Sequence, residues 1–195
     1  MLHIRSTTLW LLLTATLLML SLSTPAAAGN AAGSAACDPK AEAELRIRGC
    51  SDLIQSGGLA GNDLADAYIA RGDAYAEASD HARAIADYDA AIRLGEELAA
   101  RVEAGSDDGE ARRDLANAYY KRGSFHVWRR GDFARGIADL DRAIGLDRDL
   151  VAAYKARGWA YQANGDYDRA NVDYEEAIQR YVDDCPLSLK ALHPS

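Results

Sequence analysis

The chain has 195 residues, enough for one domain of ordinary size, with 22 Lys+Arg against 30 Asp+Glu and a formal net charge of −8. That acidic balance argues against a nucleic-acid partner, because phosphate neutralisation needs a concentrated basic surface. Its ordinary meaning is solubility.

Residues 9–22, LWLLLTATLLMLSL, are apolar and uncharged, with His3 and Arg5 before them and Pro25-Ala26-Ala27-Ala28-Gly29 after them. A charged start, an apolar middle and a small-residue exit predict a secretory signal over residues 1–28, cleaved after Ala28. A retained anchor is the alternative, since residues 9–28 just reach the length of a bilayer span. The short apolar run has no basic flank on its far side, which favours cleavage. Cleavage removes Arg5 alone among the charged residues, leaving 21 basic against 30 acidic side chains, a net charge of −9. No second hydrophobic run follows, so the mature chain is expected to be periplasmic or secreted and without a membrane span.

Residues 29–41 begin with an Ala/Gly/Ser stretch that reads as a linker. The cysteines are Cys37, Cys50 and Cys185, and an exported chain meets an oxidising compartment. If residues 39–55 were one helix, Cys37 and Cys50 would stand about 18 Å apart and could not bond. If the helix starts near Glu42, Cys37 can fold back along it, and Cys37–Cys50 is the candidate disulfide. Lipidation at Cys37 is disfavoured, because Ser34 stands where a large aliphatic residue belongs and the site lies far beyond the apolar run.

Residues 42–60 carry Leu45, Ile47, Leu53 and Ile54 at helical spacing and then Ser56-Gly57-Gly58, a stop. The next helix is expected to start at Gly61-Asn62-Asp63 with Asn62 or Asp63 as its N-cap. From here the chain repeats. Tyr120 and Tyr154, Gly131 and Gly165, Leu140 and Tyr174, and Ala143 and Ala177 are each 34 apart. Ile85 and Ile137, Tyr88 and Leu140, and Ala91 and Ala143 are each 52 apart, which is 34 plus 18. A constant offset over several positions is a strong repeat signal.

The repeated residues resemble the tetratricopeptide repeat. Tyr154, Gly158, Tyr161, Gly165-Asp166-Tyr167, Ala170, Tyr174 and Ala177 follow its pattern, and so do Tyr68, Gly72, Tyr75, Ala84, Tyr88 and Ala91. The resemblance implies an all-α fold, a short right-handed α-solenoid of stacked antiparallel helix pairs. Its units would span residues 61–98, 117–150 and 151–184, with residues 42–60 as an N-terminal cap and residues 185–195 as a tail. Residues 99–116 are an insertion, expected to continue the first unit's last helix up to Ala104 despite Gly95 and then to form a loop over residues 105–109. Two departures bear on the fold. The first turn reads Ser79-Asp80-His81, without Gly. In the second unit Gly123 comes one place early, Ser124 fills the usual Gly slot, and Gly136 fills the usual Ala slot, so the register of its first helix is open by one residue.

No catalytic constellation emerges. His81, His126 and His193 are scattered without metal spacing, no phosphate loop or nucleophile elbow occurs, and Asp87, Asp139 and Asp173 recur by repeat geometry. The chain is read as a non-enzyme with no metal and no cofactor. The positive expectation is a groove lined by the first helices. In the third unit this offers Lys155, Trp159 and Gln162. In the second it offers Lys121, Phe125, Trp128 and Arg129 in one register, or Asn117, Tyr120, Ser124, Val127 and Trp128 in the other. In the first it offers Asp66, Ile69, Asp73 and Glu77. Aromatic anchors beside long cations suit a peptide or another segment of a protein partner. The carboxylate clamp found in some relatives does not carry over, because only its Lys positions are met, by Lys121 and Lys155. A second expectation is self-association through an uncovered edge at Tyr174, Ile178, Tyr181 and Val182.

Overall fold

The computed structural model describes residues 37–101 and 109–183. Residues 1–36, where a signal and a linker are expected, residues 102–108, which hold most of the predicted loop, and the tail from residue 184 lie outside the described residues. Among the described residues there are seven α-helices: α1 (Ala43–Ser56), α2 (Gly61–Glu77), α3 (His81–Arg101), α4 (Gly109–Phe125), α5 (Phe133–Leu146), α6 (Val151–Ala163) and α7 (Tyr167–Asp183). A π turn, His126–Arg130, extends α4. The pairs α2/α3, α4/α5 and α6/α7 are antiparallel hairpins stacked in order, and α1 lies on α2. The chain is an all-α solenoid.

The turns explain the pairing. Asp80, Asp132 and Asp166 each accept a hydrogen bond from the backbone N–H three residues on, at Arg83, Arg135 and Arg169, and so cap the second helices. Just before them the backbone must turn left-handed: Gly131 has φ 63° and Gly165 φ 82°. Ser79 takes the same conformation at φ 62°, so the first turn keeps its shape without glycine. Gly57, at φ 67°, closes α1 as the sequence predicts. The start of α2 differs from expectation. The helix begins at Gly61 after an extended Ala60, no side chain caps it, and Asn62 and Asp63 fall inside its first turn.

Within each pair the helices meet at glycine. A Cβ on Gly72 would lie 2.9 Å from the Tyr88 ring, and one on Gly158 would lie 2.8 Å from the Tyr174 ring. In the second unit it is Gly123, not Ser124, that makes this approach, meeting Asp139, Leu140 and the Gly136 carbonyl at 3.0 Å. The early glycine therefore sets the register. It stands eight residues before Gly131, where Gly72 and Gly158 stand seven before Ser79 and Gly165. The π turn takes up the additional residue, since such a turn holds one more residue than an α-helical one. It also drives Val127 inward, where its methyl group would lie 2.3 Å from any Cβ on residue 136. That contact accounts for Gly136 where the other units have Ala84 and Ala170.

The arginine before each of these glycines ties the stack together. Arg71, Arg122 and Arg157 each grip Asp87, Asp139 and Asp173 of their own unit through two hydrogen bonds of 2.6–2.8 Å. Each also reaches back one unit, to Ser51, Asp89 and Asp141. The recurring aspartates are thus structural, held in planar forks that lysine could not form. Gly95 has a similar structural use. Its bare backbone lets Leu115 of α4 approach to 2.8 Å of where a Cβ would stand, so the lengthened ends of α3 and α4 pack together.

Candidate interaction surface

The first helices α2, α4 and α6 pack on one another in series, while among the described residues the second helices splay apart. That curvature makes the first-helix side concave, and it exposes two regions of different chemistry.

The N-terminal region is a groove of ≈ 730 Å³ between α1, α2 and α4. Leu53, Leu59, Ala67 and Ala70 give it apolar walls, and Asp63, Asp66, Asp73 and Glu77 rim it against two cations, Arg46 and Lys121. Both cations already face carboxylates, and the Nε of Arg46 is buried with no hydrogen-bond partner among the described residues. Arg46, buried, pairs with Glu77 at 2.7 Å and donates to the Pro39 carbonyl at 2.7 Å. Lys121 pairs with Asp73 at 2.7 Å, and the same carboxylate accepts from the Tyr88 hydroxyl at 2.7 Å. Burial and that carboxylate push the Tyr88 phenol well above its ordinary range. Asp63 and Asp66 have no ion pair among the described residues. Partial burial, then Asp114 and Asp63, raise the Asp66 carboxyl above the ordinary carboxylate range, and burial and Glu110 raise Asp114.

One wall of this groove depends on a crosslink. Cys37 is bonded to Cys50, with Cα atoms 4.8 Å apart. Since α1 begins only at Ala43, the chain before it folds back along the helix, the second of the two geometries open in the sequence.

The C-terminal region lies on α6. Lys155, Trp159 and Gln162 are exposed there, with Trp159 at 41% and its ring resting on Phe133 at 6.1 Å between centroids. Gln162 accepts a hydrogen bond from the Tyr174 hydroxyl at 2.8 Å. Trp128, 52% exposed, and Arg129 project from the π turn.

Phe125 does not belong to this surface. It is buried against His81, Tyr88 and His126, with ring centroids at 5.4, 6.0 and 6.4 Å. The reason is the register: with Gly123 at the helix contact, Ser124 takes the inner position and Phe125 turns into the core. Lys121 is separated from Lys155 as well, since its ammonium belongs to the acidic groove. Asp66, Ile69, Asp73 and Glu77, the groove positions read from the sequence for the first unit, all line this groove; what sequence reasoning missed is its other wall, Cys37, Pro39, Arg46 and Leu53, on α1 and the chain just before it.

Hairpins of 34-residue period, with 18 residues inserted between the first and the second, each closed by an Arg-Gly pair in the first helix and an Asp-capped second helix, decide the classification, and the family profile agrees. The tetratricopeptide repeat profiles match residues 65–96, 116–150 and 151–184. The chain belongs to the tetratricopeptide repeat family. Members of this family are scaffolds for protein–protein interaction, and that coarse function extends to this chain. Among solved structures, a crystal structure of MamA superposes with a TM-score of 0.60 at 20% identity, over 85% of this chain and 80% of that one. A second MamA crystal structure gives 0.59 at 20% identity over 83% and 76%. BtubC (BKLC) from P. vanneervenii gives 0.57 at 14% identity over 86% and 74%. At such identities the likeness shows the tetratricopeptide fold alone. No curated protein matches the sequence.

Proposed function

We propose that this tetratricopeptide chain is an exported scaffold that holds a peptide or partner segment on its concave face. Lys155, Trp159 and Gln162 on α6 and Trp128 and Arg129 on the π turn are the contacts, with Lys121 at the edge of the acidic groove. The observation that carries this reading is Trp159. Its ring is supported by Phe133 yet left half in water beside Lys155, the arrangement of an aromatic anchor awaiting a partner. Export is supported by the signal-like residues 1–28 and by the Cys37–Cys50 bond, which an oxidising compartment maintains. No helix among the described residues is long and apolar enough to cross a membrane.

Crosslinked pull-down from the cell envelope tests the reading. Trp159→Ala with Lys155→Ala should abolish partner capture and leave helical content unchanged. Unfolding of that variant would mean the two side chains are structural, and the surface assignment would fall.

One observation favours a second reading, self-association through the end of the solenoid. Ile178 and Tyr181 on α7 are 64% and 70% exposed. Sedimentation of the exported chain decides it.

A further inference from the structure

We propose that the groove between α1, α2 and α4 is the seat of one helix of a protein partner, an amphipathic helix carrying Lys or Arg along its flank. The inference rests on the scaffold reading above and names the partner chemistry at the other end of the concave face.

The geometry comes first. Everywhere else in the stack a second helix is preceded by its own first helix, and that first helix packs on the next one, as α2 does on α4 and α4 on α6. By its contacts α1 is a second helix: its Ser51 accepts from Arg71 as Asp89 accepts from Arg122 and Asp141 from Arg157. Yet residues 37–42 form only a turn, pinned along α1 by the Cys37–Cys50 bond and by Arg46. Among the described residues, the place beside α2 that a first helix fills elsewhere is the groove. Its ≈ 730 Å³ equals about two turns of a helix 10 Å across. Ala67 and Ala70 on its wall let another backbone come close, and Leu53 and Leu59 supply apolar contact.

The charges then select the occupant. Arg46 and Lys121 are spent on Glu77 and Asp73, which leaves Asp63 and Asp66 without a cation. Repulsion from Asp63 and Asp114 at Asp66 is relieved by a positive charge brought in with the ligand. Residues 29–36, GNAAGSAA, lead into Cys37 and carry no charge, so this stretch of the chain cannot answer those carboxylates. A basic helix satisfies both the shape and the charge.

The probe is a fluorescein-labelled synthetic helix with Leu on one face and Lys beside it, titrated into the purified exported chain and read by anisotropy. A matched helix with Glu for every Lys is the control. The Lys helix should bind, the Glu helix should not, and Asp63→Lys with Asp66→Lys should weaken binding by about tenfold or more. Ala70→Trp, which fills the groove without changing charge, should abolish binding, and thermal melts of both variants show that the fold is intact. Equal binding of the Glu helix, undiminished binding by the double Lys variant, or no binding of the Lys helix at all overturns the proposal. None of these outcomes touches the Trp159 reading, which is measured by partner capture.

Discussion

His126 occupies the slot that Tyr75 and Tyr161 hold in the other units, three residues after the contact glycine. The tyrosines stack under Arg83 and Arg169, whose guanidinium carbons lie 4.5 and 4.4 Å from the ring centroids. A histidine there is a different object. It is buried, and its Nδ1 has no hydrogen-bond partner among the described residues. Burial, with Arg122 and Arg135 nearby, lowers its proton affinity, against the opposing pull of Asp139 and Asp132. The sign follows directly. As pH drops through the ordinary histidine range near 6.5, the unfolded chain takes up a proton that the folded chain refuses until a lower pH. Stability is therefore level above that range and falls through it, by up to about 1.4 kcal/mol for each pH unit inside the window. His126→Phe, which keeps a ring against Phe125, should remove that slope. Thermal melts between neutral and mildly acidic pH check it. The raised carboxyls of Asp66 and Asp114 act in the opposite direction in both proteins, so the difference between the two profiles isolates His126. Parallel profiles would show that His126 does not titrate with folding.

At the level of elements, the second unit shows what the sequence disclosed and what it withheld. The strict 34-residue phase between the second and third units predicted the second helices, the turns, and the exposure of Lys155, Trp159 and Gln162, because each follows from one periodic contact pattern. The same phase misplaced Phe125, because a one-residue insertion can be absorbed anywhere between two fixed points. Only three-dimensional contacts show that Gly123 and Gly131 are fixed and that the π turn between them gives way. Gly136 was the legible trace of this, a glycine in an alanine slot, but its cause, Val127, lies in another helix. The acidic groove was legible on its α2 wall, where helical spacing sets Asp66, Asp73 and Glu77 on one face, and illegible on its α1 wall, because the fold-back of Cys37 along α1 is fixed by a crosslink that periodicity does not carry. The pairing of Val127 with Gly136 can be measured. Gly136→Ala alone should cost about 2 kcal/mol by overpacking, and Val127→Ala alone about 2 kcal/mol by leaving a cavity. The double variant should cost less than the sum by about 1 kcal/mol or more, since the new methyl occupies the space the valine vacates. Denaturant melts of the four proteins give the coupling, and strict additivity would mean the two positions do not compete for that space.

Across the whole molecule, a solenoid buries its core only between neighbours, so its ends decide how it behaves in solution. Each second helix presents the same stripe to the unit that follows. His81 is met by Phe125 at 5.4 Å and Phe133 by Trp159 at 6.1 Å, and the third member of that series, Tyr167, is 64% exposed. Further along the stripe, Ile92 is buried and Ile144 packs on the core, but their counterpart Ile178 faces water, as does Tyr181. Leu187, Leu189 and Leu192, which follow α7 in sequence, lie outside the described residues. Covering side chains of this size is worth roughly 1.5–3 kcal/mol each, enough to drive association. If a second copy supplies the cover, the purified chain without residues 1–28 sediments faster than a monomer at high concentration, and Ile178→Glu with Tyr181→Glu returns it to monomer with the same helical content. A wild-type chain that stays monomeric at every concentration would mean that the stripe is closed within one chain or left to another protein, and self-association would be ruled out as the use of this edge.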